Sequence, residues 1–175
     1  MEEAVFFKES GGIAYVRATG HLTARVCPGL KSRLFARLDS EPTVAAVFMD
    51  LASCEYMDST FLGLIVGTQK RFSAAQARAG GSSPASRIVL VGPNETCVGL
   101  LRTLGVLGMV EIRAEGPVFP AELDALSDGT KANASFILDA HEELSALSYE
   151  NKARFAALST ALRSALDAEK NGGKA

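Results

Sequence analysis

The sequence has no tryptophan, only three cysteines and six prolines among its 175 residues, and no apolar run near the roughly 20 residues that a bilayer span requires. The missing run argues against a membrane helix. The opening MEEAVFFKES is acidic where a secretory signal would be basic, so a cytoplasmic protein is expected. Cys27, Cys54 and Cys97 are odd in number and have no C-x-x-C spacing, which excludes a disulfide framework or a zinc site of the usual kind and predicts buried free thiols. Concentrated positive charge is also missing. With 18 Lys and Arg against 20 Asp and Glu, the net charge is −2, and no basic stripe could hold a phosphate backbone, so nucleic acid is not an expected partner. Catalytic constellations are equally scarce. The two histidines, His21 and His141, have no spacing relation to a nucleophile or acid and read as lone surface or capping residues. The GGSSP stretch at 80–84 lacks the lysine of a phosphate-binding loop and reads as a flexible connector. Neither a cofactor nor an enzymatic activity is expected.

What is present is an ordinary globular composition, 47% hydrophobic and 22% charged, enough for one packed domain with an appendage. Two short apolar stretches flank Gly11 and Gly12 and predict a β-hairpin in which Ile13, Tyr15 and Arg17 alternate with Ala14, Val16 and Ala18. Leu30, Leu34 and Leu38 recur every four residues and predict an amphipathic helix closed by DSEP. TVAAVFMDL, between Pro42 and Asp50, reads as a strand covered on both faces, and LASCEY after it as a short loop. From Thr60 the positions Leu62, Ile65, Val66, Gln69 and Phe72 predict a second helix. RIVLVG is a further buried strand, NETCVGLLRTLGV a short helix and MVEIR a last strand. The order β-β-α-β-α-β-α-β predicts an α/β fold, a mixed, mainly parallel sheet with helices packed on it.

After Arg113 the texture changes to a Pro- and Gly-bearing segment in which one short helix is expected at 121–126. Residues 131–170 contain neither Gly nor Pro and carry Ile137, Leu144, Leu147, Phe155, Leu158, Leu162 and Leu166 as a single apolar stripe. This predicts a long helix or a helical hairpin outside the α/β domain of residues 1–127. Such a stripe must be covered by the domain itself, by a second copy in a homodimer, or by a partner. Asn151 falls in the stripe, marking either a break near 148–151 or a coiled-coil polar position.

One polar cluster interrupts the apolar texture: Asp58, Ser59 and Thr60, within VFMDLASCEYMDSTFLGLIVGTQKRF. All three side chains suit a helix N-terminus, where their oxygens accept bonds from unpaired backbone N–H groups. The cluster lies between a buried strand and a helix, at the sheet edge where α/β folds meet ligands and partners. A hydroxyl there can also carry a phosphate, which the helix N-terminus stabilises.

FMDLASCEYMDSTFLG resembles the signature of the STAS domain, in particular of anti-sigma factor antagonists: a buried strand, D-L-S/A, a short loop, and Asp-Ser-Ser/Thr-Gly-Leu-Gly at a helix start. ATGHLTA, IVLVGPNETCVGLLRTLGV and MVEIR continue the likeness from about Ala4 to Leu126. The resemblance implies a partner-switching protein. An anti-sigma factor that is itself a serine kinase would bind the unphosphorylated form, releasing a sigma factor, and would phosphorylate Ser59; a serine phosphatase would reset the switch. By position the resemblance places Asp58, Thr60, Phe61, His21, Leu22, Thr23, Pro93 and Asn94 on the partner surface. Phe61 stands where the signature usually has Gly, and Thr23 where many relatives carry Asp. A non-switching scaffold or nucleotide-binding module, assembling a complex through the C-terminal helix, is the alternative.

Overall fold

The computed structural model describes residues 2–78, 80, 88–126 and 131–172. β1 (Ala4–Ser10) and β2 (Ile13–Leu22) pair antiparallel from Ala4 against Thr19 to Ser10 against Ile13. Gly11 and Gly12, at φ of 58° and 73°, form the two-residue turn that such a hairpin needs, a conformation open to glycine at little cost. α1 (Cys27–Leu38) buries Leu30, Leu34 and Leu38. β3 (Ala46–Met57), β4 (Ile88–Val91) and β5 (Glu111–Arg113) then pair in parallel on from β2, and the sheet runs β5-β4-β3-β2-β1-β6. The expected mixed, mainly parallel architecture is present.

Alternation divides the two sheet faces. Ala14, Val16 and Ala18 of β2 are buried with Val47 and Met49 of β3. On the other face Tyr15 lies against Phe48, and Phe119 meets the Tyr15 ring edge-on at 5.1 Å. The irregular chain between β5 and β6 thereby supplies an aromatic cover for that face.

Two local expectations are corrected. LASCEY is not a loop: β3 continues through it to Met57. The pairing of β2 with β3 shifts between Arg17 and Thr19 and again between Gly20 and His21. Such bulges break the two-residue alternation by which a strand is recognised. The short helix expected at 121–126 is instead β6 (Asp124–Ala125), paired antiparallel to β1 through Phe6 and Phe7. Leu126 also donates its N–H to the Val5 carbonyl at 2.8 Å. The open edge of β1 offers backbone partners that outweigh local helix propensity. Of the connector expected at 80–84, all but Gly80 lies outside the described residues.

Four further helices complete the domain and its appendage. α2 (Ser59–Arg78) follows β3 directly, and α3 (Glu95–Thr103) follows β4. The C-terminal stripe forms a hairpin, α4 (Ala134–Ser145) and α5 (Tyr149–Gly172). The break falls at 146–148, where the Ser148 hydroxyl accepts the Asn151 N–H at 3.1 Å. Asn151 is buried, and its amide donates to the carbonyls of Leu104 and Leu144, both at 2.9 Å. It ties both helices of the hairpin to the end of α3, which explains a polar residue in an apolar stripe. Asn151→Leu removes both bonds and strips the Leu104 carbonyl of its donor, while the Leu144 carbonyl keeps the Leu147 N–H at 3.1 Å. A loss of about 1–3 kcal/mol is expected in urea unfolding, against a change within about 0.5 kcal/mol for the exposed Lys152→Ala. α5 has 24 residues against 12 in α4, so its distal half extends past its partner.

Candidate functional site

The parallel strands β2, β3 and β4 all end at one edge of the sheet, and the Asp58 cluster sits at its centre. Leu22 pairs with Met57, and the next residue, Asp58, donates its N–H to the Leu22 carbonyl at 2.9 Å. Its carboxylate does two jobs. Oδ1 accepts the Phe61 N–H at 2.9 Å and caps α2, while Oδ2 accepts the Ala24 N–H at 3.0 Å and ties down the chain between β2 and α1. Ser59 is therefore fixed as the first residue of α2, half-buried, with its hydroxyl at the positive end of the helix.

That hydroxyl is already engaged. Ser59 Oγ lies 2.8 Å from Nε2 of His141 on α4. His141 Nδ1 lies 2.7 Å from the Ile137 carbonyl, which can only accept, so Nδ1 carries a proton and Nε2 faces the Ser59 hydroxyl. The imidazole is 2% exposed and meets Phe155 of α5 edge-on at 4.9 Å. His141 was expected to be a lone surface or capping histidine. Its true position was visible as spacing, because Ile137, His141 and Leu144 recur at four and three residues along the apolar stripe.

α4 is held on α2 by more than this bond. A Cβ built on Gly63 would stand 2.1 Å from the Ala140 carbonyl oxygen, so the two backbones touch with no side chain between them. Lys31 of α1 pairs with Asp139 at 3.4 Å, and Lys70 of α2 pairs with Glu143. Between α1, α2 and α4 there remains an open groove of about 450 Å³, where the Lys31 ammonium sits 4.8 Å from the Phe136 ring centre.

The other residues expected at the site divide in two. His21 is exposed, 3.3 Å from Glu55 and beside Tyr56. Thr23 donates its hydroxyl to Glu3 at 2.6 Å. Pro93 lies at the neighbouring strand end. Asn94 beside it is exposed but occupied structurally: its amide donates to the carbonyls of Cys54 and Glu55, and its oxygen caps α3 by accepting the Cys97 N–H. By contrast Leu22, Thr60 and Phe61 are 0%, 4% and 0% exposed. With α4 in place they are covered and offer a partner no exposed surface. Phe61 in particular is a core side chain in the first turn of α2.

All three cysteines are free and buried. Burial, with the charges of Asp58 and Glu3 nearby, pushes the Cys27 thiol up. The hydrogen-bonding contact with Cys97, Sγ to Sγ 3.8 Å, raises that of Cys54, as does its burial. Among the described residues no group of three or more His, Cys, Asp or Glu is placed to hold a metal ion, and no helix is long and apolar enough to cross a membrane.

Residues 5–125 match the sequence profile of the STAS domain. The chain belongs to the STAS domain family. None of the curated proteins compared matches its sequence. Among solved structures, the unphosphorylated form of the anti-sigma factor antagonist SpoIIAA shares the fold at 17% identity, over 64% of this chain and 90% of that one, with a TM-score of 0.53. The phosphorylated form of SpoIIAA, from Bacillus, gives 17% identity over 64% and 93% of the chains at 0.49. A putative anti-sigma factor antagonist from Thermotoga maritima gives 24% identity over 61% and 84% at 0.48.

The STAS match ends before α4, so the hairpin that covers Ser59 lies outside the family domain. Thr23 meets an acid from another part of the chain. The Glu3 carboxylate, whose side chain is only 19% exposed, accepts both the hydroxyl and the N–H of Thr23. Sequence position gives no hint of this pairing, which depends on β1 lying beside β2.

Proposed function

We propose that the chain is an anti-sigma factor antagonist, a regulator of transcription that works by switching partners under control of phosphorylation at Ser59. The unphosphorylated form binds an anti-sigma factor that is also a serine kinase, and a serine phosphatase reverses the modification. The observation that carries this reading is the half-buried Ser59 hydroxyl on the first residue of α2, beside a capping Asp58, at the end of a central parallel strand. A phosphate there adds about −1.5 to −2 charges at a position where free N–H groups and the helix dipole favour an anion. The fold tolerates the charge, and a partner surface built for a neutral serine does not. The exposed His21 and Tyr56, with the half-buried pair Thr23 and Glu3, supply the surroundings of the contact. No catalytic step is assigned to the chain itself.

The test is incubation of the full chain with ATP and the kinase-type anti-sigma factor of the same organism, followed by mapping of the label. Label is expected on Ser59 and absent from Ser59→Ala. Ser59→Asp is expected to weaken the complex by about tenfold or more, as an unpaired charge at an interface does. Label elsewhere only, or affinity indifferent to Ser59→Asp, would sink the reading.

A further inference from the structure

The contacts between α2 and α4 describe a binding surface together with the kind of element that fits it. On the domain side lie a backbone floor at Gly63 of α2 and two flanking cations, Lys31 of α1 and Lys70 of α2. On the α4 side lie a small residue, Ala140, against that floor, and two acids one helical turn apart, Asp139 and Glu143, against those cations. Such an arrangement is selective. Only a helix with a small residue at the contact can approach Gly63 this closely, and opposite charges on both sides fix its register.

The same helix closes Ser59. With Nε2 of a buried imidazole 2.8 Å from the hydroxyl, the Oγ of half-buried Ser59 is engaged by α4, and a phosphate on it would break that bond. The hairpin lies outside the STAS domain and is joined to it through residues 126–133, LSDGTKAN, a short polar stretch with one glycine. Its docking rests on one glycine contact, one serine–histidine bond, two partly exposed ion pairs, the Asn151 tie and the burial of Leu138, Leu144 and Phe155, the last two within the main core cluster. Partly exposed ion pairs contribute little, roughly 0–1 kcal/mol each; opening must expose the apolar side chains of the hairpin but leaves the sheet and the other helices packed, so it needs less than global unfolding.

We infer that the face of α2 around Gly63 is a helix-binding surface held shut by the chain's own α4, and that its partner opens it by presenting an acidic helix with a small residue at the Gly63 contact. The inference rests on the proposed partner switching in one respect: the kinase that modifies Ser59 must displace α4. The surface and its ligand chemistry stand on the contacts alone. The hairpin and the partner then compete, and the partner's apparent affinity is reduced by the fraction of molecules that are closed.

The experiment compares the full chain with the full-chain double variant Asp139→Lys/Glu143→Lys, which places lysines opposite Lys31 and Lys70 and leaves α2 untouched. The probe is a fluorescein-labelled synthetic peptide of residues 131–148. Hydrogen exchange in α4 and α5 is expected to quicken at least tenfold in the variant, with β3 and β4 unchanged. The peptide is expected to bind the variant at least tenfold more tightly than the wild type, and a peptide carrying the two lysine changes is expected to lose that binding. Unchanged exchange in the variant, or peptide binding that is absent from both proteins or equal in both, overturns the inference. No kinase or phosphate takes part, so failure here leaves the Ser59 assay to be judged on its own. Peptide binding without any label on Ser59 would keep the surface and remove the switch.

Discussion

Phe61→Ala is expected to destabilise the protein by about 3–5 kcal/mol, the range for truncating a fully buried phenylalanine. In a chain of this size the loss corresponds to a fall in Tm of roughly 6–20 °C. The ring is 0% exposed and belongs to the main core cluster, packed with the residues that close the ends of β2 and β3. Its N–H is the one that the Asp58 carboxylate caps, so the side chain and the start of α2 are fixed together. Phe61→Gly restores the residue usual in the STAS signature and should nevertheless be worse, by roughly a further 1 kcal/mol for glycine inside a helix. The readout is calorimetric or urea unfolding of the full chain. Labelling of Ser59 per folded molecule should change far less than stability. A partner-surface role for Phe61 predicts the opposite division, with stability kept and binding lost.

The fate of Phe61 illustrates where sequence reasoning succeeded and stopped. β1 and β2 were legible because two glycines mark a tight turn and the alternation of Tyr15 with Val16 survives on both sides. α1 was legible because one face is wet, so Leu30, Leu34 and Leu38 stand out from Lys31, Arg33 and Arg37. The start of α2 has no wet face: every residue from 60 to 66 is buried, between the domain core and α4. Periodicity cannot say which way Thr60 or Phe61 points when both sides of a helix are covered. The end of β3 and the whole of β6 were hidden for a different reason. A bulge in one case, and an edge pairing across more than a hundred residues in the other, are set by long-range partners and not by local pattern.

Within the site, the Asp58 cap was legible from residue type, and Ser59 from its position in the signature. His141 was not, although its spacing placed it in the stripe, because a stripe states that a face is covered without saying by what. Once α4 is seen on α2, the histidine, the acids beside it and the small residue between them acquire partners together.

Gly63→Leu is expected to have the second large effect, and its sign depends on the hairpin. In an isolated helix, replacing an interior glycine by leucine or alanine stabilises by up to about 1 kcal/mol. Here any Cβ at residue 63 meets backbone, with the Ala140 oxygen at 2.1 Å and its Cα at 2.8 Å, and backbone has no rotamer by which to yield. α4 must lift from α2, breaking the contact between Ser59 and His141. Overpacking of this kind costs about 1–3 kcal/mol, so Gly63→Leu in the full chain should lower stability by that amount and speed hydrogen exchange in α4 and α5. In the Asp139→Lys/Glu143→Lys background, where the hairpin is already loosened, the same substitution should cost much less, or stabilise through helix propensity alone. The double-mutant cycle therefore yields a coupling energy of about 1–3 kcal/mol between residue 63 and the acidic face of α4. A cost independent of the background would place the damage in α2 itself. Dependence on the background identifies Gly63 as the seat of a removable helix, the property a surface must have to serve a partner and its own chain by turns.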